Sequence, residues 1–303
     1  GSGRLAQAKE LTRRTIVLRR MILDRGVGVV LTRNPSGVLA AAGTRAHSVF
    51  DTDDGRRVGL HYWLARPFAD VITSSVHDPE NHGRGHRRYA GLKAQMFLHP
   101  SHFTPDLDIR RLYLSDSELL SVVRFSAHDA SHDRRTSGMS HAAHAELIRM
   151  LGAHGAVLLS VEREPLVLIR CTEDGVDRRH AVQPEHFHDL LATARVLVSD
   201  SGSVPAEAAA LGVPSFVAGS FTRKRFYLDL LQRTGLVQTY LPGEEHLLLD
   251  ALCTSLTTSR DLTSTAQFAA EQLNRDAEGL PVWFYTLTLD LLQGRVAKER
   301  EVN

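Results

Sequence analysis

The chain has 303 residues, 43% of them hydrophobic and 23% charged, with a formal net charge of +1. This is the balance of a globular chain long enough for two ordinary domains, and it excludes a general electrostatic pull toward nucleic acid. The two cysteines, Cys171 and Cys253, lie far apart and form no metal or redox motif, which suits a reducing cytoplasm.

Gly1-Ser2-Gly3 reads as a cloning remnant, so the natural N-terminus is expected to be missing. Neither a signal peptide nor an apolar run of the ~20 residues a membrane span needs is visible. Leu5 to Leu23 has helical periodicity with Arg13, Arg14, Arg19 and Arg20 interleaved. Such a basic face either touches an anionic membrane surface or is simply solvated. The 16 histidines are scattered and read mostly as surface or loop residues.

Val27 to Leu31 reads as a buried strand, Thr32 to Gly37 as a polar turn, and Val38 to Ala42 as the start of a small-residue helix. His47 to Phe50 is the next strand, ending in Asp51-Thr52-Asp53-Asp54-Gly55. Carboxylates at a strand end can hold Mg²⁺ with a substrate phosphate, or can cap a solvated turn; no metal is assigned. Gly59 to Phe68 is expected to be helical and Val71 to Ser75 a further strand. His77 to Arg88, rich in His, Gly, Asn and Arg, reads as a mobile loop, and Pro105 to Glu118 as the passage between domains. The expected domains are 1–117 and 118–303.

In the second domain, Leu119 to Phe125 is a buried strand containing Arg124, and it runs into Ser126-Ala127-His128-Asp129-Ala130-Ser131-His132-Asp133. Ligands of open α/β sheets bind at the carboxyl ends of strands. His128 or His132 can serve as acid or base near neutral pH, and Asp129 or Asp133 can orient one of them or hold a sugar hydroxyl. These four are the predicted catalytic residues, with Arg124 on the substrate side; the competing reading is a helix-capping loop. Ser140 to Leu151 reads as an amphipathic helix, Ala156 to Ser160 and Leu166 to Arg170 as apolar strands, and Gln183 to Leu191 as a helix start.

Ala194 to Val217 carries the clearest organisation: an apolar strand, the small turn Ser199-Asp200-Ser201-Gly202-Ser203, and a helix with Pro205 near its start and Gly212 at its end. Such a turn points backbone N–H groups at an anion. Glu207, about one turn into the helix, is in reach of a ribose attached to a bound phosphate. Gly219 to Arg225 follows as a basic loop from which Arg223 and Lys224 are expected to meet phosphate. Leu228 to Arg233, Glu244 to Leu256, Leu262 to Leu273 and Val282 to Leu292 read as helices. The alternation of strands and helices predicts an α/β protein of two Rossmann-like, doubly wound parallel domains with a ligand cleft fed by strand ends.

RFSAHDASHD (Arg124 to Asp133) followed by SDSGSVPAEAAALGVPSF (Ser199 to Phe216), with YAGLKAQMFLHP (Tyr89 to Pro100) and VFDTDDG (Val49 to Gly55), resembles the prokaryotic domain-of-unknown-function family 354. The resemblance covers about Val27 to Gly243. That family is similar in organisation to the GT-B glycosyltransferases and the non-hydrolysing UDP-N-acetylglucosamine 2-epimerases. The resemblance implies that Ser201, Gly202 and Ser203 bind the diphosphate of a nucleotide sugar and that Glu207 binds its ribose. GT-B chains open with a strand and a loop lining the acceptor side. This one opens with a helix, so a reduced or truncated N-terminal domain is expected.

The first functional expectation is a metal-independent sugar transferase using a nucleotide sugar, a UDP-sugar foremost, with no cofactor. Its acceptor would be a glycan or a lipid-linked acceptor, and the protein is expected in the cytoplasm or peripheral to the inner face of the membrane. The alternatives are an epimerase acting on the nucleotide sugar, or a non-catalytic nucleotide-sugar-binding subunit. Neither the acceptor nor the oligomeric state is legible.

Overall fold

The computed structural model describes residues 4–53, 55–83, 85–126, 139–171, 178–222, 225–257 and 262–295. It divides into two compact units, Gly1–Gly91 with Gly279–Asn303, and Leu92–Glu278.

In the first unit, α1 (Arg4–Arg25) precedes β1 (Val29–Thr32) and α2 (Pro35–Ala41). Asn34 caps α2, its Oδ1 accepting the Ser36 N–H at 3.0 Å, and Pro35 sits where its missing N–H costs nothing. Gly37 is required by close packing, because a Cβ there would lie 2.7 Å from Thr32 Oγ1. Ile22 of α1 is buried with Ala40, Ala41 and Ala46, and Arg19 donates to the Ala42 carbonyl at 2.6 Å, where a helix end favours a cation. β2 (His47–Asp51), α3 (Leu60–Ala65), β3 (Val71–Ser75) and β4 (His86–Tyr89) complete the unit's sheet, all parallel in the order β1-β2-β3-β4.

The described residues between His77 and Gly85 carry no helix or strand, as expected of a loop, but the stretch is neither wholly irregular nor wholly exposed. It ends in a paired strand, and Asp78 and His82 within it are 3% and 1% exposed. Side-chain hydrogen bonds hold it, and a composition rich in Gly, Asn and His does not reveal them. His82 and His99 are thus loop histidines, as expected of most, but buried ones.

The second unit runs through α4 (Gln95–Leu98), α5 (Leu107–Tyr113), β5 (Leu120–Phe125), α6 (His141–Gly152), β6 (Ala156–Val161), β7 (Val167–Arg170) and β8 (Arg178–Ala181). It continues through α7 (Phe187–Ala192), β9 (Val196–Ser199), α8 (Val204–Ala210), β10 (Ser215–Ala218), α9 (Phe226–Arg233), β11 (Val237–Tyr240), α10 (Glu245–Thr257) and α11 (Leu262–Asn274). The sheet order is β11-β10-β9-β5-β6-β7-β8. Five neighbouring strands from β11 to β6 are parallel, as expected, but β7 and β8 are antiparallel. The physical reason is length: the turn between Val161 and Val167 is far too short for a parallel crossover, which needs about a dozen residues. Leu147 and Leu151 of α6 are fully buried with Val157 and Val198 beneath them. Each such side chain contributes about 1.5–3 kcal/mol of burial.

The division also differs from the expected one at residue 117. Ala94 and Leu98 are buried with Ala210, and Gln95 Nε2 donates to Asn274 Oδ1 at 2.7 Å, so this segment packs in the second unit. The 105–118 stretch carries α5 and belongs there too. The last helix, α12 (Leu280–Leu292), belongs to the first unit: Leu287 and Leu291 are buried with Val49 and Val71.

Candidate functional site

The carboxyl ends of β5 and β9 lie side by side in the second unit, Arg124 pairing in register with Ser199. Hydrogen bonds lace them together. Asp200 Oδ1 accepts the Ser126 N–H at 2.6 Å, and the Asp200 N–H is given to the Arg124 carbonyl at 3.1 Å. Asp200 is buried, which a carboxylate tolerates only with such partners. From α6, His144 lies flat on Phe125, ring centroids 3.6 Å apart, and brings Nε2 to 3.9 Å from Asp200 Oδ2.

The expected phosphate turn forms next to this pair. The Ser201 N–H is given to Ser199 Oγ at 3.0 Å, so one donor of the expected anion nest is spent inside the turn. Ser203 opens α8 without a side-chain capping bond. Gly202 is where the turn meets α9: Tyr227 donates its hydroxyl to the Gly202 carbonyl at 2.7 Å, and Arg225 Nη1 donates to the Tyr227 hydroxyl at 3.2 Å. A Cβ on residue 202 would lie 2.7 Å from that hydroxyl and 3.2 Å from Arg225 Cζ. A guanidinium thus stands against the backbone of the turn. Arg225 was legible only as one of three basic residues in its loop; Arg223 and Lys224 lie outside the described residues.

Glu207 occupies the first turn of α8, where the helix end favours negative charge. Its Oε2 is 3.0 Å from His188 Nε2 on α7, and the two side chains are 19% and 32% exposed. Because a carboxylate only accepts, the His188 proton sits on Nε2. Arg124 is bonded through Nη1 to Ser160 Oγ at 2.8 Å on β6, the neighbour of β5 on the side away from β9. His128, Asp129, His132 and Asp133 lie outside the described residues. Asp200, His144 and His188 were not singled out in sequence. An aspartate inside a Ser-Asp-Ser-Gly-Ser turn was a usable signal; the two histidines sit in ordinary helical pattern and gave none.

A second polar group gathers at the strand ends of the first unit. Arg33, after β1, pairs with Asp53 and lies 3.8 Å from Asp51 Oδ2, while Thr73 donates to Asp51 Oδ1 at 2.9 Å. Burial opposes the Arg33 charge, but the Asp53 and Asp51 carboxylates outweigh it and raise its pKa. The Tyr89 hydroxyl is pushed up, by burial first and then by those carboxylates. Among the described residues no group of three or more His, Cys, Asp or Glu converges as a metal site. Deeper in, His82 joins Tyr62 through Nδ1 and Asp78 through Nε2, both at 2.9 Å. Burial opposes the Asp78 charge, yet hydrogen bonds from His82 and the Glu80 N–H outweigh it and hold the carboxyl low. His86, bonded to Ser74 Oγ at 2.9 Å, is lowered to about 4, mainly by burial and then by the neighbouring His82 and Arg88.

No family model matches the chain, and no curated protein matches it in sequence. Solved structures do match in shape. A Listeria monocytogenes protein assigned as a UDP-N-acetylglucosamine 2-epimerase aligns with a TM-score of 0.64 at 13% identity, covering 96% of this chain and 80% of that one. The Methanocaldococcus jannaschii UDP-GlcNAc 2-epimerase in complex with UDP-GlcNAc and UDP gives 0.57 at 13%, over 94% and 83%. A spinosyn forosaminyltransferase gives 0.56 at 14%, over 91% and 80%. Two α/β units, one with an all-parallel sheet and one parallel from β11 to β6, matched over nearly the whole chain, establish the fold: that of the GT-B glycosyltransferases and the UDP-N-acetylglucosamine 2-epimerases.

Proposed function

We propose that this chain is a nucleotide-sugar enzyme, foremost a GT-B-type glycosyltransferase using a UDP-sugar. The observation that carries the reading is the placement of Glu207 in the first turn of α8, directly after the Ser201-Gly202-Ser203 turn on which Arg225 rests. A nucleoside diphosphate presents its anionic phosphates and its ribose hydroxyls with the spacing such a turn and carboxylate serve. Arg225, with Arg223 and Lys224 from the same loop, would stabilise the charge that develops on the departing diphosphate. A group among His128, Asp129, His132 and Asp133 would take the acceptor proton. In this reading a membrane-associated glycan or lipid-linked sugar is the acceptor, and the basic α1 is the face that meets the lipid. The likeness to the domain-of-unknown-function family 354 supports the same assignment.

A second reading, epimerisation of the nucleotide sugar, is favoured by the epimerase structures among the matches. Thermal-shift measurements with UDP-, GDP-, CMP- and dTDP-sugars test the shared part: one class is expected to raise the melting temperature of the wild type and not of Glu207→Ala. No shift with any of them sinks the proposal. Solvent deuterium entering the sugar in the absence of acceptor selects epimerisation over transfer.

A further inference from the structure

Resting on that nucleotide reading, we infer that His188 is a positioning residue that aims Glu207 at the ribose diol of a ribonucleoside diphosphate. A surface His–Glu pair is ordinarily worth little. This one differs in how it is held. The His188 ring is met edge-on by Phe187, Phe97 and Phe103, with centroids 5.3, 5.7 and 6.5 Å away. Three aromatic rings pack around the imidazole and restrict its rotation, with Nε2 placed 3.0 Å from Glu207 Oε2. Glu207 lies in the first turn of α8, one helix away from His188 in the chain. What the bond supplies is direction: it orients one oxygen and leaves Oε1 for a ligand hydroxyl.

A carboxylate with one oxygen pinned by an aromatic-braced donor is suited to vicinal hydroxyls, each of which donates one proton. A ligand lacking those hydroxyls gains nothing from the orientation. The role therefore predicts a coupling between His188 and the 2′- and 3′-hydroxyls, which a purely structural histidine would not show.

The test is isothermal titration of the full chain with UDP and with 2′,3′-dideoxyuridine diphosphate. Wild type is expected to prefer UDP by tenfold or more. His188→Ala is expected to weaken UDP five- to tenfold while changing the dideoxy compound less than twofold. His188→Gln, whose amide nitrogen reaches the place of Nε2, is expected to recover most of the UDP affinity; His188→Asn, one bond shorter, is not. Circular dichroism identifies variants that fail to fold, and the Gln/Asn comparison then decides. Equal loss for both ligands, unchanged UDP affinity in His188→Ala, or indistinguishable Gln and Asn variants overturn the role while the nucleotide reading stands. Absence of UDP binding by wild type together with no response to any other nucleoside diphosphate overturns both.

Discussion

Asp200 Oδ1 accepts the Ser126 backbone N–H at 2.6 Å, and this bond fastens the turn after β9 to the end of β5. The carboxylate is buried, so truncating it leaves a donor without its charged acceptor. Asp200→Ala is expected to cost about 1.5–3 kcal/mol, the usual worth of a hydrogen bond to a charged group. Asp200→Asn keeps an acceptor oxygen and is expected to cost less than half of that. Urea unfolding followed by circular dichroism measures both, and equal losses would show that the bond to Ser126 is not what the carboxylate contributes.

Gly202 has no room for a side chain. With a Cβ 2.7 Å from the Tyr227 hydroxyl, Gly202→Ala is expected to push α9 from the turn and to lower nucleotide affinity tenfold or more. Tyr227→Phe removes the obstructing oxygen. The double variant is therefore expected to bind better than Gly202→Ala alone, a coupling of contacting residues that titration with UDP detects. Additive losses would mean that the clash is relieved elsewhere.

His86 makes the first unit sensitive to acid. Its folded pKa, about 4, lies below the ordinary histidine value near 6.5, so between those values the unfolded chain takes up a proton that the folded chain refuses. Stability is thus expected to fall as pH drops from about 6.5 toward 4, and this contribution to flatten below that. His86→Gln keeps a polar group for Ser74 and removes the titration. A melting-temperature profile that is unchanged in the variant across this window would refute the assignment.

Arg33 balances a buried carboxylate. Asp51 is 1% exposed, and Arg33→Met would remove the guanidinium that faces its carboxylate. The expected loss is about 1–3 kcal/mol, the penalty of a polar group stripped of its partner. Asp51→Asn in the same chain removes the charge and is expected to recover part of the loss. Thermal unfolding of the two single variants and the double variant measures this, and a double variant worse than Arg33→Met would contradict it.

The strand–turn–helix units were legible because their signals are local. Val196 to Ser199, the small turn, Pro205 and Gly212 lie within one short stretch, and periodicity and turn chemistry act over that range. For the same reason Ser201, Gly202, Ser203 and Glu207 could be named as a group. His188 was not legible as the partner of Glu207, since it lies in the preceding helix, 19 residues away, and the two meet only through their side chains. Tyr62, Asp78 and His82 escaped for the same reason: their bonds join α3 to a segment beyond β3.

The sequence by itself determined that this is a parallel α/β chain of two units, with a small-residue turn and a carboxylate at one strand end, because hydrophobic period and turn composition are properties of neighbouring residues. Only the tertiary structure decided that the division falls after Gly91 and that α12 returns to the first unit. It also decided that Arg225 rests on the turn and His188 on Glu207. These are outcomes of side chains distant in sequence competing for the same buried space and the same hydrogen-bond partners, and no local pattern encodes which of them meet.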